Sequence, residues 1–503
     1  MSNPLSRRSV LKRSALTAAA LSIPWTAKSW AQVVGSNEDI RIGVAGLNGR
    51  GKSHTDAYKS MKGVRLVALC DADTNVLERE RDRLNKGSRP RAASPTTGPS
   101  TRPTAAEKSE RELKLTLFTD VRKMLDSKEI DALTIATPNH WHALMGIWGC
   151  QAGKDVFVEK PVSHNVWEGR KLVEAARKYD KIVASGTQSR SSGALREAFE
   201  WVRAGNIGKI KVARGLCYKR RATIGKSSGP TDVPETVDYD LWLGPAPKEP
   251  PHRRQFHYDW HWFWAYGNGD LGNQGIHQMD VARWALGKDH LAPTVFSVGG
   301  RFGYEDDGQT PNTQFVVHDY GDAMLIFEVR GLYERAGSSN MPKYKGQSVG
   351  HVIECEGGYL SGTTAYDHDD KVVKKFTEKG DDHFANFIKA VRSRKREDLN
   401  ADVLEGHLSS ALCHTGNVSY KLGEEAKPGE IREQLEGDKA AMETYRRFVE
   451  HLEDNEVCVV TDKATLGPVL KMDPKTERFT DNDKANALLT REYRNPFVVP
   501  ENV

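Results

Sequence analysis

Two textures of hydrophobic and polar positions divide the chain. Between Ile40 and about Thr187, short apolar runs alternate with amphipathic stretches. Ile40–Ala45 is apolar and ends at a glycine, the pattern of a buried strand. Val64–Cys70, Leu115–Phe118, Ala132–Ala136, Val156–Val158 and Ile182–Ala184 repeat it. Helical spacing lies between them, as in Val166–Tyr179, where Val166, Leu172, Val173 and Ala176 share a face. This alternation predicts a parallel sheet with helices on both sides. Beyond Thr187 the runs lengthen: Lys209–Tyr218, Val295–Phe302, Gln314–Val317, Ala323–Val329 and His351–Cys355, separated by Gly- and Asp-rich turns. They predict a second α/β domain around a mainly antiparallel sheet. Helical spacing returns at Phe384–Arg392, Val403–Tyr420 and Glu433–Asp454.

Two segments stand outside these textures. Asn85–Lys114 is rich in Pro, Ser, Thr and charge and cannot bury enough apolar surface to offset its ordering entropy, so it reads as a disordered surface insertion. At the N-terminus, Ser6-Arg7-Arg8-Ser9-Val10-Leu11-Lys12 is a twin-arginine pattern, followed by apolar Ala15–Trp25 and small residues at Ser29 and Ala31. Residues 1–31 therefore read as a signal peptide for export to the periplasm or beyond. The apolar stretch is shorter than the roughly 20 residues of a spanning helix, and no later segment is long and apolar enough.

The formal charge of +5 changes meaning once this segment is set apart. Residues 1–31 hold Arg7, Arg8, Lys12, Arg13 and Lys28 and no acid, which accounts for the whole excess. No basic face remains, so nucleic acid is excluded as the partner class. The six cysteines are scattered singly, with no C-x-x-C pair for zinc or redox chemistry, and no metal site is expected.

Candidate chemistry begins after the first strand. Gly46, Asn48 and Gly51 occupy the positions of a G-x-G-x-x-G turn, with Gly49 and Arg50 between them and an asparagine in the middle position. Small residues there let backbone N–H groups approach a pyrophosphate at a helix N-terminus, and asparagine tolerates a left-handed backbone. Asp71 ends the second strand 20 residues past Gly51, where an acid bonds a ribose 2′-OH and repels a 2′-phosphate. The first domain, residues 38–187, is thus expected to be a Rossmann domain binding NAD rather than NADP, and residues 188–503 a substrate and oligomerisation domain. An ordinary glycine turn with a strand-end aspartate is the plainer alternative.

Three further motifs join this turn: Thr137-Pro138-Asn139-His140-Trp141-His142, Glu159-Lys160-Pro161, and Gly269-Asp270-Leu271-Gly272-Asn273-Gln274-Gly275-Ile276-His277-Gln278-Met279-Asp280. Together they resemble the Gfo/Idh/MocA family of sugar and cyclitol dehydrogenases. The resemblance implies that Lys160 and His277 are catalytic, that Thr137, Pro138, His140, His142 and Glu159 lie near the dinucleotide, and that the Lys160–Pro161 peptide is cis. Asn273 falls where many members carry aspartate; an amide can orient the histidine but not charge it. Asp280 matches a further acid of the motif, for substrate or for structure. Gln188 and Arg190, where the chain leaves the first domain, are candidates to face the substrate.

Gln255–Tyr266 places aromatics at every second position, among them Trp262 and Trp264. They can stack on a sugar ring or pack as a strand into a core or an interface. His407 and His414 share a face of the helix over 403–420 and read as packing residues. The implied function is an NAD-dependent oxidoreductase of a sugar, cyclitol or glycoside CH–OH group. The rival is a glycoside hydrolase or lyase that oxidises transiently with no net redox change. Export suits a tightly held cofactor in either case, and the family suggests a homo-oligomer.

Overall fold

The computed structural model describes residues 39–86 and 113–503. The signal segment and most of the 85–114 insertion lie outside the described residues. The six apolar runs of the first texture become β1 (Ile40–Ala45), β2 (Val64–Cys70), β3 (Thr116–Phe118), β4 (Ala132–Ile135), β5 (Asp155–Val158) and β6 (Val183–Ser185). They pair in parallel in the order β3-β2-β1-β4-β5-β6. Every residue of β4 and β5 is buried, because helices cover both faces. These are α1 (Arg50–Ser60), α2 (Thr74–Asn85), α3 (Asn139–Gln151) and α4 (Val166–Lys178). Side chains fix two helix starts: Asp73 accepts from Asn75 N at 2.9 Å, and Asn165 accepts from Glu168 N at 2.9 Å. The strand order reverses between β1 and β4, where sheets of this kind open a crevice for ligands.

The second sheet centres on β7 (Ile210–Tyr218), β8 (Thr294–Gly300), β9 (Thr313–Asp319), β10 (Met324–Arg330) and β11 (Val349–Cys355), in the order β11-β7-β10-β9-β8. Only β7 and β10 are parallel among these pairs, so the sheet is mainly antiparallel, as expected. Its strands are largely buried on both faces, and the charged residues among them are paired, as Glu328 is with Arg330 and Arg447. β9 sends Val316 into the core with Ile276 and Met279 of α5 (Gly275–Leu286). Its neighbours Phe315 and Val317 pack on the other face.

The expected division at residue 188 is crossed more than once. α6 (His383–Ser393) returns to the first sheet and places Phe384, Phe387 and Ile388 among Ile42, Val44 and Phe157. α7 (Val403–Lys421) packs against both α4 and β8, and is buried along most of its length. Phe497, Val499 and Val503 join the core around Trp141 and Val173. No helix among the described residues is long and apolar enough to cross a membrane.

Two expected elements differ. Glu433–Asp454 is not one helix. Gly437, at φ 89°, breaks it, and Asp438 caps α8 (Lys439–Glu453), on which Tyr445 and Phe448 meet Phe315. The aromatic stretch 255–266 is no strand but a set of turns around a short 3-10 turn, Asp259–Trp262. Asp259 Oδ2 accepts from Gln255 N at 2.9 Å and closes the first turn, so alternate residues there do not share a face.

Burial makes this fold acid-sensitive. His318 and His451 are buried with neither ring nitrogen bonded, and burial pushes both down to about 3. His351 falls to about 4 for the same reason. Unfolded, these rings titrate near 6.5, so between about pH 3 and 6.5 the unfolded chain binds more protons and stability falls as pH falls. Each ring contributes up to about 1.4 kcal/mol per pH unit in that window. Urea midpoints are expected to hold above pH 7 and decline from about pH 6.5 downward; a flat midpoint to pH 4 would contradict this.

Candidate active site

The crevice at the C-terminal ends of β1, β2, β4 and β5 is a cleft of about 390 Å³. One wall is the glycine turn. Gly46 has φ 81°, and a Cβ there would lie 2.5 Å from Thr137 N. A Cβ on Gly51 would lie 1.9 Å from Gly46 O. Both positions therefore exclude any side chain, and Gly51 acts from behind the turn rather than on its wall. The left-handed backbone expected of Asn48 falls instead on Gly49, at φ 92°. The Asn48 amide turns outward, its Oδ1 accepting from Arg79 Nη2 at 3.1 Å. α1 starts here with no side-chain cap, leaving its first N–H groups for a ligand.

Asp71 lies on the cleft wall beyond the end of β2. Its carboxylate accepts from Leu47 N at 2.9 Å and Asp73 N at 3.1 Å. Burial raises its pKa against the pull of these bonds. A side-chain-free turn, an uncapped helix start and a strand-end carboxylate together fit a dinucleotide.

At the other end stand the residues that follow β5. The Lys160–Pro161 peptide is cis. Lys160 Nζ donates to the Asn273 backbone oxygen at 2.7 Å, and burial lowers its pKa. Glu159 points the other way and is 3% exposed. Its Oε1 accepts from Arg50 Nε at 2.7 Å and meets His54 Nε2 at 3.0 Å. Burial alone would raise its pKa; His54, Arg50 and Lys160 outweigh that and hold it well below the usual carboxylate range. Glu159 is thus a clamp between the glycine turn and the lysine.

His277, on the first turn of α5, lines the cleft; burial and then Lys160 push it down to about 3, so the ring is neutral. Its Nδ1 is buried without a hydrogen-bond partner. Asn273 does not orient it as expected: the contact that Asn273 makes here is its main-chain carbonyl accepting from Lys160 Nζ. Thr137, Pro138 and Gln188 also line the cleft. His142 lies on the wall with its nitrogens 2.6 Å from Pro161 O and 2.7 Å from Thr137 O, tying the two turns together.

Five expected residues lie elsewhere. His140 is buried behind the wall, its Nε2 on Trp242 O at 3.0 Å. Arg190 and Asp280 face each other instead of a substrate, with Nε–Oδ1 at 2.9 Å, and Ser409 Oγ donates to the same carboxylate at 2.7 Å. Asp280 is fully buried, so it serves structure. Trp262 is buried under the Arg221 guanidinium at 5.1 Å, and Trp264 opens on a different cavity. The turns of 255–262 bring Tyr258, Trp260 and His261 to the cleft in their place. The Trp260 and His261 rings stack at 3.7 Å, and Tyr258 is 45% exposed.

Sequence reading misses Arg50–Glu159–His54 as a cluster, and the pair of His257 Nε2 with Asp73 Oδ2 at 2.8 Å that closes the second domain over the first. These partners lie far apart in the chain, and no local pattern joins them.

Comparison with known proteins agrees with this geometry. The model of the "Oxidoreductase family, NAD-binding Rossmann fold" matches residues 40–187, and that of the "Oxidoreductase family, C-terminal alpha/beta domain" matches 205–451. The chain is 32% identical over 171 residues to the alpha-N-acetylgalactosaminidase of Shewanella oneidensis, and equally to a glycosyl hydrolase family 109 protein of Shewanella baltica. Each alignment covers 33% of this chain and 33% of the relative, so the chain matches about a third of those proteins' length. The WlbA dehydrogenase of Bordetella pertussis, solved with NADH and UDP-GlcNAcA, shares the fold at TM-score 0.52 and 20% identity, over 74% of this chain and 94% of that one. A putative NADPH-dependent oxidoreductase of Desulfitobacterium hafniense does so at TM-score 0.53 and 14% identity, over 75% and 94%. With both family models matched in order along it, the chain belongs to the Gfo/Idh/MocA oxidoreductase family.

Proposed function

We propose that the chain is an NAD-dependent oxidoreductase acting on a CH–OH group of a sugar, cyclitol or glycoside. One observation carries this reading: the glycine turn with Asp71, and Lys160 with His277, converge on a single cleft. A nicotinamide dinucleotide bound there supplies the hydride acceptor. Gly49 and the uncapped start of α1 offer backbone N–H groups to its pyrophosphate, while Gly46, whose N–H is held by Cys70 O at 2.9 Å, gives the turn its closeness. The Asp71 carboxylate suits ribose hydroxyls and disfavours a 2′-phosphate, which supports NAD over NADP.

The proton follows from the lysine. Burial disfavours the Lys160 ammonium, so neutral amine becomes accessible as pH rises, while the Asn273 carbonyl fixes Nζ at the cleft wall. As the substrate carbon loses hydrogen with its electron pair, the hydroxyl proton passes to Nζ and a carbonyl forms. Oxidation is therefore expected to speed up with rising pH. His277, neutral down to about pH 3, serves as an uncharged hydrogen-bond partner for the substrate oxygen. Tyr258, Trp260, His261 and Gln188 form the facing wall, where aromatic rings and polar tips suit a polyhydroxylated ring.

The likeness to an alpha-N-acetylgalactosaminidase favours a second reading, glycoside cleavage by transient oxidation, elimination and re-reduction. We further infer that residues 1–31 direct export by the twin-arginine route, that the cofactor leaves the cytoplasm already bound, and that the exported enzyme is a homo-oligomer. The Ser6–Lys12 pattern and the enclosing of the cleft by two domains support the first two points.

Three outcomes are expected. With a panel of sugars and glycosides, NADH accumulates if the oxidoreductase reading holds; glycoside cleavage without net NADH selects the second reading. Lys160→Ala loses roughly 10²–10⁴-fold in turnover while dinucleotide titration is unchanged; activity within tenfold of the parent removes Lys160 from the mechanism. Denaturing the exported protein releases close to one NAD per chain by mass spectrometry; release of NADP, or of no dinucleotide, refutes the Asp71 or the captive-cofactor reading respectively.

A further inference from the structure

The facing wall of the cleft carries the short turn Asp259–Trp262, and its polar groups can be assigned one by one. His261 Nδ1 bonds Tyr258 O. A carbonyl only accepts, so the ring proton sits on Nδ1 and Nε2 is a bare acceptor with no hydrogen to give. Among the described residues no protein group bonds that Nε2. It is not sealed in the protein as His277 Nδ1 is, and the ring lines the cleft, so Nε2 is open to a ligand there.

The ring is held in place. It stacks on Trp260 with centroids 3.7 Å apart and planes 20° apart. Its main chain rests on Gly267, where a Cβ would lie 2.4 Å from His261 O. Gly267 leads through the helical turn Gly269–Gly272 to Asn273, whose carbonyl holds Lys160 Nζ. The turn that carries His261 is therefore seated on the segment that fixes the lysine. Burial, against the pull of the Tyr258 carbonyl and with the charges of Lys160 and Arg221, pushes the imidazole down to about 3. It is no base for the reacting proton, and it stays an uncharged acceptor wherever Lys160 works.

The neighbouring group is of the opposite kind. Tyr258 Oη accepts from Arg221 Nη1 at 3.3 Å, which leaves its own hydrogen free to donate. Asp270 takes Arg221 Nε at 2.8 Å and Nη2 at 2.6 Å, so the guanidinium presents no unpaired charge. The Tyr258 and His261 rings lie 4.9 Å apart.

We propose that His261 Nε2 determines specificity by accepting a hydrogen from a ring substituent other than the hydroxyl being oxidised. The substrate then carries a hydroxyl or an amide N–H at that place. An ether, phosphate or carboxylate oxygen there would set lone pair against lone pair and is refused. Tyr258 donates to an oxygen beside it. The inference rests on reading the cleft as a sugar or cyclitol site, and it names what that site demands of its ligand.

The test titrates the full chain saturated with NADH, which lets a ring bind without being oxidised, and reads affinity by calorimetry. The probes are D-glucose, D-galactose, N-acetyl-D-galactosamine and myo-inositol, with their monodeoxy and monodeoxyfluoro derivatives and 2-O-acetyl-D-galactose. Fluorine can accept but has no hydrogen to donate. At one position besides the oxidised one, deoxygenation and fluorination are both expected to weaken binding at least about tenfold; loss on exchanging the acetamido group for the acetyl ester marks the amide N–H as the donor instead. His261→Phe keeps an aromatic ring against Trp260 and is expected to bind the parent ring as weakly as the parent protein binds that derivative, with no further loss on fluorination there. His261→Gln, whose Oε1 accepts, recovers part of the affinity. A merely structural role would weaken every analogue alike. Fluorine tolerated at every position, His261→Phe lowering all analogues equally, or no ring bound at millimolar concentration overturns the inference. Rings that bind in this pattern but yield no NADH in turnover refute the oxidation and leave His261 in place. NADH formation with binding indifferent to His261→Phe does the reverse.

Discussion

Glu159 is the constraint on which the site depends. A buried carboxylate is costly unless its oxygens are matched, and this one takes Arg50 from the glycine turn and His54 from the next turn of α1. The strand end that carries Lys160 is thereby locked to the helix start that faces the pyrophosphate position. The two ends of a redox site must keep a fixed spacing, because hydride and proton leave the same CH–OH group. Here that spacing is held by one ion cluster rather than by sheet hydrogen bonds alone. The cluster belongs to the first domain, and the Phe384 ring of α6 packs on His54 at 4.9 Å to hold it there.

Histidines supply the other ties. His142 sits between two backbone carbonyls, His257 bonds Asp73 at the helix cap, and His164 receives a guanidinium. Burial disfavours the charged forms of His142 and His164, so these two rings make their links without adding net charge to a dry interior. The acid sensitivity of the fold is the counterpart of burying His318, His351 and His451 unprotonated.

Much of this was legible in the chain. β1 and β2 appear with the bounds that their apolar runs mark, because each is almost wholly buried and admits a single polar residue, Arg41 or Arg65, near its start. The glycine turn, Asp71, Lys160 and His277 are local in sequence and were readable as motifs. What was not readable depends on contacts between distant residues. Arg190 and Asp280 each resemble a ligand group in isolation, and only their 2.9 Å pairing shows that they satisfy one another. Trp262 and Trp264 share a period with Trp260, but the turn closed by Asp259 sends the three indoles to different places.

The late return of the chain to its first domain has a consequence for the timing of synthesis. The core around Trp141 and Val173 is completed by Phe497, Val499 and Val503, and the one around Ile42 by α6. Domains generally fold in order as they emerge from the ribosome. Here the nucleotide half lacks part of its core until α6 and the segment from Phe497 to Val503 have been made. Cofactor capture then waits on residues far downstream of the glycine turn that receives it, and a chain cut before Phe497 would lack the closed core around Trp141 and Val173.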